Sequence, residues 1–406
     1  MSDSIQYDHW RQLDHWLMKL REFWQPVPFV ETRPHWTIHQ PSLYDWVLSL
    51  SEAHCEALEN NPRELVAHLR GWLPEFDQYW DLLALTGMNA PACPLPEVRA
   101  RDMPGRKRLQ AGFFAGQLVP VEGQVLDWCC GKGHLARTLA AAGAGSVAGY
   151  EWQAGLVQDG NRLAGHYGDP VRIACQDVMA DPLPWPDPPP DQLVALHACG
   201  DLHRQFLHQG VHHGVSRISL SPCCYHLTDD SLHQPLSVRV QQTSERLQPN
   251  REQMRLAVRE TVTASRREQG QTRLRSAWRL GFDGLQRDLR RVDEYLAVPS
   301  EPAYLLKQGF PEFCQWAAQS RGIELPEEPD FGTWEARGWV RHREVRRFEL
   351  IRHLFRRPLE LWMVLDYGVF LEESGYQVRL GEFCERQLTP RNLLLDAVLN
   401  EKRRRA

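Results

Sequence analysis

A strand, a glycine turn and the start of a helix follow one another between Val125 and Leu135. Val125 and Leu126 supply a buried strand, and Gly131 and Gly133 allow a left-handed backbone and the close approach of another molecule. Leucine and alanine then recur at helical spacing. Proteins commonly hold a nucleotide at such a junction of strand, tight turn and helix. The junction therefore predicts alternating strands and helices around a parallel sheet.

Acidic residues stand at the ends of three successive predicted strands. Asp127 ends the first strand and can accept hydrogen bonds. Glu151 ends the second, where a carboxylate can accept both ribose hydroxyls. The third strand, Val171–Cys175, leads into Asp177 and Val178, which suit the amino group and ring nitrogens of adenine. A single acid could equally cap a helix or a turn, but three at successive strand ends favour a nucleoside site.

The composition is that of a globular protein of two or three domains, with 406 residues. No apolar run approaches the roughly 18 residues needed to span a bilayer, and the polar N-terminus lacks a signal peptide's basic start and apolar centre. We therefore expect no membrane association and a cytoplasmic location. The ten cysteines include two adjacent pairs and cluster in the nucleotide-binding segment, which favours reduced thiols over disulfides.

Four segments differ in pattern. Residues 1–95 carry tryptophan and leucine at helical spacings, which is more typical of a packed core than of base stacking. Residues 98–230 form the predicted nucleotide-binding core, 231–357 an arginine-rich helical insertion, and 358–406 the final strands and a basic tail. The predicted fold class is α/β: a Rossmann-like sheet with helices on both faces, a helical N-terminal domain and a helical insertion.

Four further strands complete the predicted sheet. Asp191–Leu196 and Arg217–Leu220 are the fourth and fifth, on either side of a helical stretch. After the insertion, the apolar runs Leu359–Leu365 and Asn392–Asp396 are predicted to be two late strands that close the sheet.

Arginine is concentrated late in the chain, although the formal net charge is −5. One group lies within residues 239–291, a second runs from 341 to 357, and Lys402–Arg405 forms a third. These arginines could lie on solvated helix faces beside glutamate partners. They could also grip phosphates, because a guanidinium group binds oxygens in pairs.

Cysteine and histidine are dense where the fourth and fifth strands end. The residues concerned are His197, Cys199, Asp201, Cys223, Cys224 and His226. Both strand ends belong on the ligand-binding edge of a doubly wound sheet, beside the first turn. We expect these six residues to shape or catalyse the reaction.

Several interpretations of this cluster stay open. His197 or His226 could act as a general base for a hydroxyl or amine nucleophile, which is the favoured interpretation. A cysteine could instead be a covalent nucleophile, or the thiols could simply be buried packing residues. A zinc site from Cys199, Cys223, Cys224 and His226 is disfavoured, because adjacent cysteines rarely both bind one tetrahedral ion. No metal is therefore predicted.

The motifs together resemble a known family. Gly131–Leu135 with Arg137, His197–Leu202, Cys223–Leu227 and Leu388–Asn392 resemble the methyltransferase domain 32 family. This family includes the methyltransferase-like protein 25 group and the so-called ribosomal RNA adenine dimethylase domain-containing protein. The strand ends are also similar to those of tRNA acceptor-stem 2′-O-methyltransferases.

The resemblance implies a class I methyltransferase that uses S-adenosylmethionine (SAM), with RNA, either tRNA or rRNA, as the acceptor, bound through the arginine-rich helices. The expected cofactor-binding residues are Asp127, Cys129, Gly131, Gly133, Glu151, Asp177 and Val178. Two features depart from the motifs of related methyltransferases. Cys129 stands where the glycine-rich motif has a glycine. No Asn-Pro-Pro-Tyr sequence follows the fourth strand, and because methyltransferases that modify base amino groups carry it there, its absence argues against an exocyclic base amine as the target. A protein or small-molecule acceptor, and a non-catalytic scaffold, are the alternatives.

Overall fold

A computed structural model describes residues 4–260 and 266–400. Contacts divide the chain into two compact units, one formed by residues 1–18, 80–260 and 356–406, the other by residues 19–79 and 261–355. These two units do not coincide with the four predicted segments. That the four segments are separate domains stays a prediction. None of the described helices has the length and apolar character that a membrane crossing requires.

The first unit contains a seven-stranded sheet. Its strands are β1 Gln124–Trp128, β2 Ser146–Glu151, β3 Val171–Cys175, β4 Gln192–Cys199, β5 Arg217–Cys223, β6 Tyr376–Glu382 and β7 Leu393–Leu399. The strand order is β3-β2-β1-β4-β5-β7-β6. Strands β1 to β5 pair in parallel, and β7 is antiparallel to both β5 and β6. The predicted α/β class is confirmed.

Helices make up most of the remainder. The α-helices before β1 are α1 Ile5–Lys19, α2 Arg21–Trp24, α3 Trp36–His39, α4 Pro41–Ser49, α5 Glu52–Asn60, α6 Pro62–Leu69, α7 Tyr79–Leu82 and α8 Gly105–Leu118. Those between the parallel strands are α9 His134–Ala141, α10 Ala154–Tyr167 and α11 Asp201–His212. After β5 come α12 Val238–Gln241, α13 Arg251–Leu256, α14 Arg266–Arg290, α15 Leu305–Gln308, α16 Phe310–Arg321, α17 Phe331–His353 and α18 Arg356–Glu373.

The predicted strand Leu359–Leu365 is wrong, because these residues lie inside helix α18. Almost every residue of this helix is buried, so its sequence lacks the polar face that reveals a helical period. A short apolar run then fits a buried strand and a buried helix equally well. The strand that does pair with β7 is β6, whose alternating sequence escaped the prediction.

The closing strands are held by a buried carboxylate on β7. Asp396 accepts hydrogen bonds from Arg217 on β5 at 2.9 and 3.0 Å, and from the Ser219 hydroxyl at 2.8 Å. Arg379 on β6 donates to the same carboxylate at 2.8 Å. One acid thus links three neighbouring strands, and its four charge-assisted or hydroxyl hydrogen bonds compensate for its burial.

The second unit is helical, with a core between α14, α16 and α17. Aromatic side chains, among them Trp278, Phe282, Phe310 and Phe313, form this core. At Gly338 a side chain would overlap the carbonyl of Ala277, so α14 and α17 approach closely at a point that only glycine allows. The predicted helical character of the insertion is confirmed in its described part.

Candidate active site

The turn after β1 is formed by three left-handed residues. Cys129, Gly131 and Gly133 have φ values of 54°, 58° and 69°. A side chain at Gly131 would meet no described protein atom within 4 Å, whereas one at Gly133 would lie 2.8 Å from the Ile173 side chain. The turn therefore packs against Ile173 of β3 at Gly133 and leaves free space beside Gly131.

Glu151 joins the end of β2 to this turn. Its carboxylate accepts hydrogen bonds from the backbone amides of Gly131 at 3.0 Å and Gln153 at 2.9 Å. An ionised carboxylate has about four acceptor positions, so two backbone bonds leave capacity for further donors. The structure thus places an acid with spare acceptor positions directly against the glycine turn.

Asp127 lies beneath the turn. It is 2% exposed, and its carboxylate accepts a hydrogen bond from the Ala136 amide in the first turn of α9 at 3.1 Å. Burial raises the pKa of Asp127 to about 8. This acid anchors the start of the helix to the end of β1.

The end of β3 supplies the third acid. Asp177 accepts a hydrogen bond from the Met179 amide at 2.9 Å, and Val178 is buried. Two large apolar side chains nearby in sequence are exposed: Trp152, directly after Glu151, is 70% exposed, and Met179 is 48% exposed. Sequence reasoning missed both, although Trp152 directly follows the predicted acid Glu151 and Met179 directly follows the predicted residue Val178.

A bulge in β4 sets the position of the second strand-end cluster. Leu196 pairs with Ser221 and Ala198 with Pro222, so His197 is the extra residue, with a φ of 65°. The bulge shifts the register by one residue. As a result Cys199 lies opposite Cys223.

Three thiols meet at these strand ends. The sulfurs of Cys199 and Cys223 are 3.3 Å apart, and those of Cys199, Cys223 and Cys224 all lie within 4.8 Å of one another. The Cys223 thiol also points at the carbonyl of His197, at 3.2 Å. Hydrogen bonds from the Cys199 and Cys223 thiols lower the pKa of Cys224. The hydrogen bonds with Cys199 and Cys224 in turn raise the pKa of Cys223. These hydrogen bonds therefore favour the thiolate form at Cys224 and disfavour it at Cys223.

The predicted histidines lie in different surroundings. Burial, with the charges of Arg391 and Lys107 adding to it, lowers the pKa of His197 to about 4. Burial also lowers the pKa of His226, whose Nδ1 atom is buried without a hydrogen-bond partner in the described structure. Burial therefore favours the neutral form of both imidazoles.

Two further residues hold the loops in place. Asp201, predicted as a site residue, accepts a hydrogen bond from the Asp229 amide at 2.9 Å and so ties the loop after β5 to helix α11. His203 is fully buried; its Nδ1 donates to the Ala198 carbonyl at 3.1 Å, and its Nε2 therefore accepts from the Tyr367 hydroxyl at 3.0 Å. His203 was not predicted, since a histidine inside a helix carries no sequence signal for this bridge.

Strained backbone is concentrated at the same edge of the sheet. In the described ranges, left-handed φ values occur at four non-glycine residues: Cys129, His197, Cys224 and Arg291. The first three lie at the ends of β1, β4 and β5, which are neighbours in the sheet. Such residues cost about 1–3 kcal/mol each and cluster at functional sites, which favours this edge as the active site.

The arginine groups fall into two classes. In the second unit many are paired with acids: Arg279 with Glu301 at 2.5 Å, Arg287 with Asp283 at 2.9 Å, and Arg346 with Glu59 at 2.8 Å. These pairs fit the interpretation of helix faces with acidic partners. Lys402–Arg405 and the side chain of Arg266 lie outside the described residues.

A different group of cations surrounds the strand ends of the first unit. Arg391 and Lys107 are close enough to lower the pKa of His197, and Arg255 and Arg259 do the same for His226. Lys107 and Arg255 are exposed, and Arg255 and Arg259 both contact the Glu252 carboxylate, at 3.3 and 3.7 Å. Sequence reasoning missed Arg391 and Lys107 as site residues, although Arg391 lies inside Leu388–Asn392, one of the segments that carried the family resemblance.

Comparison with known proteins identifies part of the chain. Residues 119–231 match a family described as a methyltransferase domain. No curated protein matches the chain.

Three solved structures are similar over a limited part of the chain. The YcgJ protein from Bacillus subtilis is 20% identical, with 27% of this chain and 49% of that chain covered and a TM-score of 0.24. A ribosomal protein L11 methylase from Lactobacillus delbrueckii subsp. bulgaricus is 18% identical, with 27% and 57% covered and a TM-score of 0.24. An S-adenosylmethionine-dependent methyltransferase from Clostridium acetobutylicum is 18% identical, with 29% and 51% covered and a TM-score of 0.24.

This chain thus spans about half the length of the structures it matches. The sheet and the matched segment together support a class I methyltransferase domain with S-adenosylmethionine as its cofactor.

Proposed function

We propose that this protein transfers a methyl group from SAM to RNA. The proposal rests on one observation above all: the turn held by Glu151 and the Cys/His strand ends lie on neighbouring strands, with cations around the latter. The first part of this arrangement suits the cofactor, and the second suits an anionic acceptor.

The residues at the ends of β1, β2 and β3 fit the cofactor. The free space beside Gly131 lets a ligand approach the backbone of the turn, and Glu151 has acceptor positions left for the two ribose hydroxyls. Trp152 offers an exposed indole on which adenine can stack, and Asp177 with the Val178 amide would bind the edge of the base. When bound, SAM supplies an electrophilic methyl group on its sulfonium.

The loops after β4 and β5 would position the acceptor. Because β4 is the neighbour of β1, the loop from His197 to Asp201 lies beside the glycine turn. The bulge, the hydrogen bond of Asp201 and the buried bridge of His203 hold this loop in one arrangement. Fixing the acceptor in line with an activated methyl group can supply much of the acceleration, so rigidity is a functional property here.

Cations near the acceptor loops favour a polyanion. Lys107, Arg255, Arg259 and Arg391 come from three separate parts of the first unit. Lys107 and Arg391 act on His197, and Arg255 and Arg259 act on His226. Phosphate contacts of lysine and arginine supply most of the affinity of proteins for nucleic acids. Their placement around a methyl-transfer edge is the reason to propose RNA over a neutral small molecule.

Tritium transfer from labelled SAM tests both parts of the proposal. Total RNA and total protein from a strain that lacks the gene are offered to the wild type, to Glu151→Ala and to Glu122→Ala, which alters an exposed acid before β1. We expect label in RNA with the wild type and with Glu122→Ala, and little with Glu151→Ala. Label in protein alone would refute RNA as the acceptor, and the absence of SAM binding by calorimetry would refute methyl transfer itself.

Salt dependence tests the role of the cations. We expect Lys107→Gln and Arg255→Gln to weaken RNA binding and to reduce the slope of log affinity against log salt by about 1 for each phosphate that the variant no longer binds. Arg162→Gln, which alters a 71% exposed arginine on α10, is the matched control. An equal effect of all three variants would contradict a specific acceptor surface.

A further inference from the structure

We propose that Cys199, Cys223 and Cys224 bind one thiophilic divalent metal ion of the zinc class. The proposal does not depend on the methyl acceptor, nor on whether the protein is an active methyltransferase. It runs against the sequence-based expectation of no metal.

The sulfur positions are close to those of a metal site. A tetrahedral zinc ion with Zn–S bonds of about 2.3 Å places its sulfur ligands roughly 3.8 Å apart. In this structure the shortest sulfur pair is 3.3 Å apart and all three lie within 4.8 Å of one another. Among residues 4–260 and 266–400, this is the one group of three or more cysteine, histidine or acidic side chains found in such an arrangement.

The backbone removes the objection that Cys223 and Cys224 are adjacent. Successive side chains of a strand point to opposite faces, so two adjacent cysteines in a regular strand cannot meet at one ion. Strand β5 ends at Cys223, however, and Cys224 has a left-handed φ of 49°. The strand alternation stops at that residue, and both sulfurs lie on the same side.

The third sulfur depends on the bulge in β4. In a regular register Ala198 would lie opposite Cys223, but the extra residue His197 moves Cys199 into that position. Two left-handed non-glycine residues, His197 and Cys224, are therefore both needed to assemble the three thiols. Backbone strain of about 1–3 kcal/mol at each of these residues is more than a packing contact alone would be expected to offset.

Three thiols suit a particular class of ion. Soft thiolate ligands select zinc and similar metals over magnesium or calcium, which prefer oxygen. Three protein ligands leave the fourth tetrahedral position to water or another non-protein ligand, as in zinc sites that take part in reactions. The three thiols lie where β4 and β5 end, beside the glycine turn.

Metal analysis of the full chain tests the proposal. The protein is purified with a thiol reductant, loaded with zinc, dialysed and measured by inductively coupled plasma mass spectrometry; a parallel sample is loaded with cobalt. We expect about one equivalent of metal per chain and the absorption bands of tetrahedral cobalt bound to thiolates. Cys199→Ser, Cys223→Ser and Cys224→Ser should each lower metal affinity more than tenfold. Cys93→Ser, which alters a half-buried thiol elsewhere, should retain the metal.

A second measurement uses only the wild type, so it does not depend on the folding of variants. Zinc should protect Cys199, Cys223 and Cys224 from alkylation, read by peptide mass spectrometry, and leave the exposed Cys175 equally reactive with and without metal. Absence of bound metal after reduced loading, or equal alkylation of the three thiols with and without zinc, would overturn the proposal. So would a Cys199–Cys223 disulfide that persists under reductant.

Discussion

The Glu151 carboxylate accepts a hydrogen bond of 3.0 Å from the backbone amide of Gly131, twenty residues earlier in the chain. This bond joins the ends of β2 and β1 and fixes the turn that would carry the cofactor. One acid therefore shapes the glycine turn and, in the proposed function, also contacts the ribose.

Replacing this acid should weaken cofactor binding without unfolding the protein. A hydrogen bond to a charged group contributes about 1.5–3 kcal/mol, so Glu151→Ala should weaken SAM binding by roughly 10- to 100-fold. Isothermal titration calorimetry measures the affinity, and circular dichroism checks the fold. Unchanged affinity would show that the ribose contacts lie elsewhere.

Trp152 should contribute through stacking. Alanine substitution of a residue that stacks on a base costs about 1–3 kcal/mol, so Trp152→Ala should weaken SAM binding at least about fivefold. Trp152→Phe keeps an aromatic surface and should retain most of the affinity. Calorimetry of the two variants separates stacking from a general disturbance of the loop, which would lower both affinities equally.

Cys129 is a strained residue in a position that suits glycine. With a φ of 54°, it should lose about 1 kcal/mol of strain when replaced by glycine, partly offset by the entropy of the unfolded chain. Cys129→Gly should therefore raise the urea midpoint slightly and retain SAM binding. Cys129→Ala removes the thiol but keeps the side-chain carbon, so it should bring no such gain.

Asp127 should make stability depend on pH in the neutral range. Its folded-state pKa of about 8 lies above its ordinary value of 3.8 because of burial. Its contribution is fully present below pH 3.8 and is lost as pH rises to about 8, because the unfolded state releases its proton first. Relative to the wild type, Asp127→Asn should gain stability across this range, by up to about 1.4 kcal/mol per pH unit. Urea unfolding at several pH values measures the difference; parallel curves would contradict the prediction.

Asp396 should have the opposite pH dependence. Burial opposes its charge, but the hydrogen bonds and charge of Arg217 outweigh this and lower the pKa of Asp396. Its contribution is therefore present above pH 3.8 and is lost as pH falls through the lower folded value. Asp396→Asn should cost about 3–5 kcal/mol at neutral pH, because it leaves buried arginine charge without a partner. Exchange of Asp229, an exposed acid, by Asn is the control and should change stability little.

The parallel half of the sheet was predictable because its signals are local. Each of β1 to β5 combines a short apolar run with a turn or a chemistry-bearing residue at its end, so Glu151 and Cys223 could be placed at strand ends from sequence alone. Helix α18 was not predictable, because burial on all sides removes the polar residues that mark a helical period.

The details of the site depended on backbone conformation. Nothing in the residue types reveals that Cys224 is left-handed or that His197 is an extra residue in β4, yet these two features bring the thiols together. Arg391 and Lys107 were missed for another reason: they reach the site from segments far away in sequence, and only the tertiary structure shows which distant charges act on His197.

The hydrogen bond between Arg217 and Asp396 joins two strands that are synthesised at different times. The two residues are 179 positions apart, and a ribosome adds about 5–20 residues per second. Strand β5 therefore emerges roughly 10–35 s before the strand that covers its edge. During that interval the nascent chain carries an unpaired edge and an arginine without its acid, which leaves β5 open to pairing with other chains while the rest of the chain is translated.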